Sequence, residues 1–263
     1  MRQSFDSDRS NVYSGSDVTQ RSTGPQRRSE SPTVTTSDRV VAIHQPNYLP
    51  WLGLFHKLSR SDMFVILDDV EYTTNSWTNR NKIKTPDGWT WLTVPVHDTG
   101  GPIAEVEIVT SEPWQETHRK SLKHNYGKAK HFDTYADRFM DIYETDWELL
   151  GRLNITLLQE LIELLDIDCE IVYSSEFDVG SAKTGRLVEL CTELEADCYF
   201  SGQGAKSYLQ PEQFRAADIE IVYQSLEYPE YDQRFDEFIP NLSVVDPLFN
   251  VGAETTKELI ENA

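Results

Sequence analysis

The sequence predicts an α/β fold: a Rossmann-like, mostly parallel sheet flanked by helices, with a helical middle segment. Three observations predict it. Short apolar runs at Val40–Ile43 and Met63–Leu67 bracket a helical stretch. The last third alternates strand and helix in a β-α-β-α-β order, which implies parallel strands joined by crossovers. Between these regions the apolar residues recur at helical spacing.

Val40–Ile43 is β-branched and bounded by polar residues, as a buried strand is. Trp51–Ser59 reads as a short helix. Met63–Leu67 is a second strand, ending at Asp68 and Asp69. The residues Thr85-Pro86-Asp87-Gly88 are a turn signal, and Trp89–Val96 behind them reads as a strand. Ile103–Val109 alternates apolar and polar residues, predicting a half-exposed strand.

Glu112-Pro113-Trp114 opens a helix that runs to about Tyr126 and stops at Gly127, with Pro at an early position where it is tolerated. A second helix covers Phe132–Tyr143. A third runs from Trp147 to Leu165, with Leu149, Leu150, Leu153, Leu157, Leu161 and Leu164 forming its core stripe. Glu170–Tyr173, Asp197–Phe200 and Ile219–Tyr223 read as strands. Helices around Leu187, Cys191 and Leu194 and over Gln210–Ala217 separate them. From Tyr228 the chain is aromatic and irregular until a short terminal helix near Thr255–Glu261.

Residues 1–38 contain no Leu, Ile or Ala and are rich in Ser, Thr, Asp and Arg. Such a segment cannot bury enough apolar area to offset its ordering entropy, so it is expected to be a disordered polar tail. Residues 39–263 are then expected to form a single α/β domain.

Acids outnumber bases 44 to 24, for a net charge of −20. A general nucleic-acid binder needs a basic face, so that class is excluded on charge. The acids are spread from Asp62 to Glu261, which favours a salt-adapted (halophilic) surface over an acidic tail. No apolar run approaches the roughly 20 residues of a membrane span, so no membrane insertion is expected. The N-terminus lacks the apolar core of a secretory signal, and a cytoplasmic protein is expected. Cys169, Cys191 and Cys198 have no zinc-ligand spacing and read as buried free thiols; no metal site is expected from them.

Four segments carry groups suited to chemistry. The first is the loop His44-Gln45-Pro46-Asn47-Tyr48-Leu49-Pro50-Trp51, followed by His56. Prolines among aromatic, amide and imidazole groups suit a rigid loop at a strand end, where α/β proteins place ligands. His44 and His56 are candidates for acid/base work or phosphate contact. The second is Asp68-Asp69, where a strand-end carboxylate binds a ribose, holds Mg²⁺ or orients a His. Adjacent acids alternate sides, so at most one faces a given pocket.

The third segment, Asn79-Arg80-Asn81-Lys82-Ile83-Lys84, is the most basic patch of an acidic chain. Arg offers a planar fork and Lys a point charge, so an anionic small-molecule substrate is expected there. Trp51 and Trp77 would wall that pocket. In the fourth, Ser201-Gly202-Gln203-Gly204-Ala205-Lys206, two glycines let backbone amides approach an anion and Lys206 adds charge. Loops 44–56, 68–84 and 201–208 are expected to converge on one cavity at the carboxyl ends of parallel strands.

Together these strings resemble the WbqC-like family. The resemblance rests on His44 to Gly53, Leu67-Asp68-Asp69-Val70, Asn79 to Lys84, Trp91 to Val96, Ser201 to Ala205 with Tyr208-Leu209, and Leu242 to Gly252. It spans about residues 40–253. Glu71 stands where Gln is expected, and Pro247 where an aliphatic residue is. The resemblance implies a role beside surface-polysaccharide (O-antigen-type) genes, with transfer of an aminoacyl or acyl group to an amino sugar as one suggested chemistry. It carries no established catalytic residue over.

A fainter likeness links the loop after the first strand to the nucleotidyltransferase superfamily that includes pantoate–β-alanine ligase. It implies carboxylate activation with ATP, or use of a nucleotide sugar with Mg²⁺, although no H-x-G-H pattern is present here. A transferase or amide-forming ligase is the leading expectation. A non-catalytic glycan- or partner-binding protein of the same pathway is the alternative.

Overall fold

The computed structural model describes residues 38–97, 100–235 and 237–263. The expected polar tail, apart from Asp38, lies outside them. The first strand, β1 (Val40–His44), is central because its residues are apolar toward both faces: Val41 and Ala42 are fully buried. It leads through the loop to α1 (Leu52–Leu58) and β2 (Met63–Ile66). An antiparallel hairpin follows, β3 (Arg80–Thr85) with β4 (Gly88–Thr93). The middle holds α2 (Trp114–Tyr126), α3 (Phe132–Glu144) and α4 (Leu150–Leu164). The last third supplies β5 (Glu170–Tyr173), α5 (Thr184–Glu193), β6 (Cys198–Ser201), α6 (Pro211–Ala216), β7 (Glu220–Tyr223) and α7 (Val245–Glu261).

The main sheet has the order β5-β2-β1-β6-β7, and each neighbouring pair is parallel. The chain winds outward from β1 to β2 and β5, then returns to lay β6 and β7 on the other side. Side chains alternate between the two faces of the sheet. Val40, Ala42, Phe64, Ile66 and Phe200 pack in one cluster with Leu54, Phe55, Leu157 and Leu248, so α1, α4 and α7 cover that face. Val41, Ile43, Val65 and Tyr199 pack with Leu190, Cys191 and Phe214, so α5 and α6 cover the other.

Five expectations change. Arg80–Lys84 is not a loop but strand β3. Asn81 and Ile83 point to the core, and this alternation masks the strand behind its charges. The turn before Trp89 closes that hairpin, with Gly88 at φ 115°, a left-handed conformation suited to glycine. Ile103–Val109 forms a 3-10 turn, Ile103–Glu105, with only isolated bridges beyond it. Its amides are taken by loops instead: Ile103 N–H by Val70 O at 2.9 Å and Ala104 N–H by Asp68 O at 2.8 Å.

The terminal helix is longer than expected, beginning at Val245 and breaking at Gly252 (φ 87°). A side chain at Gly252 would meet the His131 ring at 3.0 Å, so glycine is required there twice over. Helix α4 starts at Leu150, three residues after Trp147, because Leu149 is extended. Cys191 and Cys198 are buried free thiols, while Cys169 is only half-buried.

Candidate functional site

The strand order creates a switch point between β1 and β6. The loop after β1 runs to α1 on one face, and the loop after β6 runs to α6 on the other, so the two diverge at their carboxyl ends. Open α/β sheets bind ligands at such switch points. The carboxyl edge reads, strand by strand, Ser174 and Ser175 after β5, Asp68 and Asp69 after β2, His44 at the end of β1, Gly202 after β6 and Gln224 after β7.

His44 is partly exposed. Its Nδ1 lies 2.9 Å from the Gln45 carbonyl oxygen. A carbonyl only accepts, so Nδ1 carries the proton and Nε2 keeps its lone pair. Burial, and secondarily the charge of Lys57, push the imidazole down to about 4. It is therefore neutral at pH 7. Lys57 was not anticipated. All seven residues of α1 are buried, Lys57 among them, and its Nζ donates to Ile43 O at 3.3 Å. Burial lowers this amine to about 8, within reach of neutral pH. The signal in the sequence was a Lys, beside His56, inside a seven-residue helix whose other five residues are Leu, Gly and Phe.

Asp68 and Asp69 lie beyond the end of β2, and both carboxylates contact the Ser174 hydroxyl, whose single proton they share. Asp68 accepts from Ser174 Oγ at 3.1 Å, Ser175 N–H at 3.1 Å and Ser175 Oγ at 2.7 Å. Asp69, which shares the Ser174 hydroxyl, also pairs with Arg186 of α5. A cleft of about 490 Å³ lies on the α4 side of the edge, lined by Asp68, Trp147, Arg152, Ile155, Gln159 and Tyr173. Arg152, Gln159 and Tyr173 were also unanticipated; Gln159 Nε2 donates to the Tyr173 hydroxyl at 3.2 Å. A larger cleft of about 600 Å³ between α2 and α3 contains no anticipated residue, and its Arg119 and Lys120 already pair with Glu116.

The turn after β6 behaves unlike most glycine loops. Neither Gly202 nor Gly204 has a positive φ, and a Cβ added at either would meet nothing within 4 Å among the described residues. Packing and backbone geometry thus leave glycine unexplained, and the open backbone is accessible to a ligand. Lys206 sits with its Nζ 4.7 Å from the Tyr223 ring centroid. Ser201 is buried, on the face covered by α5 and α6.

Other anticipated residues hold the scaffold. Tyr48 is fully buried, with its hydroxyl 2.8 Å from His118 Nδ1 and bonded to the Tyr143 hydroxyl. Asn47 is buried in the same loop, and Gln45 is half-buried. Asn81 Nδ2 donates to Leu49 O at 2.6 Å, bracing a residue with φ 41°. Asn79 Nδ2 donates to Val94 O at 3.1 Å. Lys84 is buried and donates to Gln233 Oε1 at 2.9 Å and to Glu237 O, tying down the C-terminal segment and not facing a phosphate. His56 is wedged between Phe200 and Gln224, whose Nε2 lies 3.0 Å from its Nδ1; burial lowers its pKa. Trp51 stacks on Tyr228 at 6.4 Å, and its indole fills the space beside Gly53.

The three loops therefore do not line one cavity. His44, Asp68, Asp69 and Gly202 share the carboxyl edge, whereas Arg80 and Lys82 lie on the hairpin. That hairpin is nonetheless tethered to the edge: Tyr48 N–H donates to Trp77 O at 3.0 Å, and Asn154 Nδ2 donates to Pro46 O at 2.9 Å and Thr78 O at 2.7 Å. Among the described residues, no group of three or more His, Cys, Asp and Glu side chains is placed to hold a metal ion. No helix among them is long and apolar enough to cross a membrane.

Residues 45–258 match the WbqC-like protein family, so the match begins at the loop after β1 and includes every later element of the edge. This chain belongs to the WbqC-like protein family. A relative in Mycobacterium tuberculosis (strain ATCC 25618 / H37Rv), "Uncharacterized protein Rv1507c", is 37% identical over 220 residues, which cover 82% of this chain and 95% of that protein. No solved structure matches. In this WbqC-like chain, Gly202, Asp68 and Lys57 all fall inside the family match, while His44 stands one residue before it.

Proposed function

We propose that this WbqC-like protein is an enzyme of surface-polysaccharide precursor biosynthesis. In this reading it is a transferase or amide-forming ligase that passes an acyl or aminoacyl group to an amino sugar. The substrate is anionic, either nucleotide-linked or adenylylated, and it sits along the carboxyl edge of the sheet.

The observation that carries the reading is the switch point itself. The sheet winds in opposite directions from β1 and β6, with His44 at the end of one strand and the unobstructed Gly202–Gly204 backbone after the other. Backbone amides there would hold a phosphate group. Arg152, exposed at the rim of the neighbouring cleft, would take a second negative charge.

Amide formation also requires that the attacking amine lose a proton as its N–C bond forms, while the acyl carbon's bond to the phosphate oxygen of its adenylylated donor breaks and the nucleotide leaves. A group that titrates near neutrality is suited to accept it. Lys57, buried against Ile43 O and charged at pH 7, sets a positive charge beneath the edge, and the proton passes to a group exposed there. His44 then offers a neutral Nε2 acceptor. Asp68, held by three hydrogen bonds, orients a ribose hydroxyl.

Melting temperatures with ATP, a UDP-sugar and acetyl-CoA, in dilute buffer and in molar KCl, test the proposal. A ligand at a hundredfold its Kd stabilises by about 2.7 kcal/mol, a rise of roughly 5–10 °C for a domain this size. Gly202→Val should abolish the rise without lowering the melting temperature of the free protein. An absence of any rise, or a rise unchanged in Gly202→Val, contradicts the reading.

A further inference from the structure

The β3–β4 hairpin has a core face and an outer face. Asn81, Ile83 and Leu92 point inward. On the other face Lys84 is covered by Gln233 and Glu237, while Arg80, Lys82, Trp89 and Trp91 stay at least partly exposed, with Trp77 beside them. Half of the chain's six tryptophans are gathered here, and Trp77 and Trp89 are 42% and 44% exposed. Ring centroids of Trp77 and Trp89 lie 5.4 and 5.5 Å from that of Trp91. An outward strand face is normally polar, so three indoles there need a reason beyond folding.

The two cations are as unusual as the rings. The Lys82 ammonium lies 4.2, 5.2 and 5.8 Å from the centroids of Trp89, Trp91 and Trp77, and the Arg80 guanidinium 4.3 Å from that of Trp91. Among the described residues neither forms an ion pair, although acids outnumber bases 44 to 24. Their positive charge is positioned by aromatic faces and remains available to an anion.

We propose that this outer face binds an anionic saccharide unit, whose ring stacks on the indoles of Trp77 and Trp89 while its acid group pairs with Lys82 and Arg80. The flat exposed rings suit the C–H face of a pyranose, and the cations select one that carries a carboxylate, phosphate or sulfate. A net charge of −20 repels an extended anionic membrane surface, whereas a small anion at the patch is governed by the local cations. The site is preorganised, because Trp77 and Thr78 are bonded to Tyr48 and Asn154.

Calorimetric titration with tetragalacturonate and with a sulfated tetrasaccharide tests this, with maltotetraose as neutral control and phosphatidylglycerol-containing vesicles as a membrane control. At least one anionic saccharide should bind saturably. Trp89→Ala and Lys82→Gln, both on a solvent face, should each weaken it at least tenfold with unchanged melting temperature. Failure of both saccharides to bind, equal affinity in the variants, or preference for maltotetraose or vesicles overturns the proposal. The proposal does not rest on the carboxyl-edge reading: Lys82→Gln should leave any nucleotide-induced melting shift intact, so each can fail alone.

Discussion

The ε-amino group of Lys57 lies 3.3 Å from the carbonyl oxygen of Ile43, under the carboxyl end of the central strand. A buried amine held by a neutral acceptor is poorly compensated, which is why its pKa falls to about 8. Below pH 8 the amine is charged in both folded and unfolded chains, and only the folded state bears the desolvation. Above its ordinary value of 10.5 it is neutral in both.

Lys57→Met should therefore stabilise the protein at pH 7 by about 3 kcal/mol, and the gain should shrink toward pH 10. Urea unfolding at the two pH values checks this. A variant equally destabilised at both would show that Lys57 is a structural strut. If the variant also retains ligand-induced stabilisation while losing turnover, the charge of Lys57 serves the reaction and not ligand binding.

His118 follows the same sign in a lower pH window. Its Nε2 lies 3.1 Å from Thr93 O, so Nε2 carries the proton and Nδ1 accepts from the Tyr48 hydroxyl. Burial lowers the ring to about 4, against 6.5 when free. The unfolded chain thus takes up the proton first as pH falls, and stability present above pH 6.5 is lost through pH 4. This residue alone should remove about 3 kcal/mol across that window. In His118→Gln the fall in unfolding free energy between pH 7 and 4 should be shallower by about that amount; parallel curves would refute the assignment.

Asn154 is fully buried and donates to two loop carbonyls, Pro46 O and Thr78 O. Asn154→Leu leaves both acceptors without their donor, at a cost of about 2–4 kcal/mol. Amide exchange at Tyr48, whose N–H is held by Trp77 O, should accelerate more than exchange in β6. Uniform acceleration would mean that the residue supports the whole core and not this junction.

Asp69 and Arg186 join the edge of β2 to α5 on the face opposite the cleft. Both are partly buried, so removing either should cost about 1–2 kcal/mol, less than a fully buried pair. A double-mutant cycle with Asp69→Asn and Arg186→Gln measures the coupling. Additive effects would free Asp69 for a ligand role that its pairing now opposes.

The five parallel strands were legible because each is a short apolar run closed by polar or turn residues; the observed β2, Met63–Ile66, differs by one residue from the expected Met63–Leu67. Their order was not legible, since crossover direction depends on which face each helix covers. Polar side chains were harder to read. Tyr48, Asn81 and Lys84 have the chemistry of ligand groups, yet each satisfies a backbone group or a neighbour inside the fold. Sequence shows donors and acceptors but not what they face. Lys57 was missed for the converse reason: a cation in a short helix reads as solvated until all seven residues of that helix are found buried.

The central claim is that ligand occupies the carboxyl edge at the β1/β6 switch point. Hydrogen–deuterium exchange with and without the nucleotide or acyl donor that raises the melting temperature tests it most directly. Protection should concentrate in residues 44–51, 68–70, 150–156 and 202–208. Protection confined to the α2–α3 cleft, or absent from both the His44 and Gly202 loops, would contradict it.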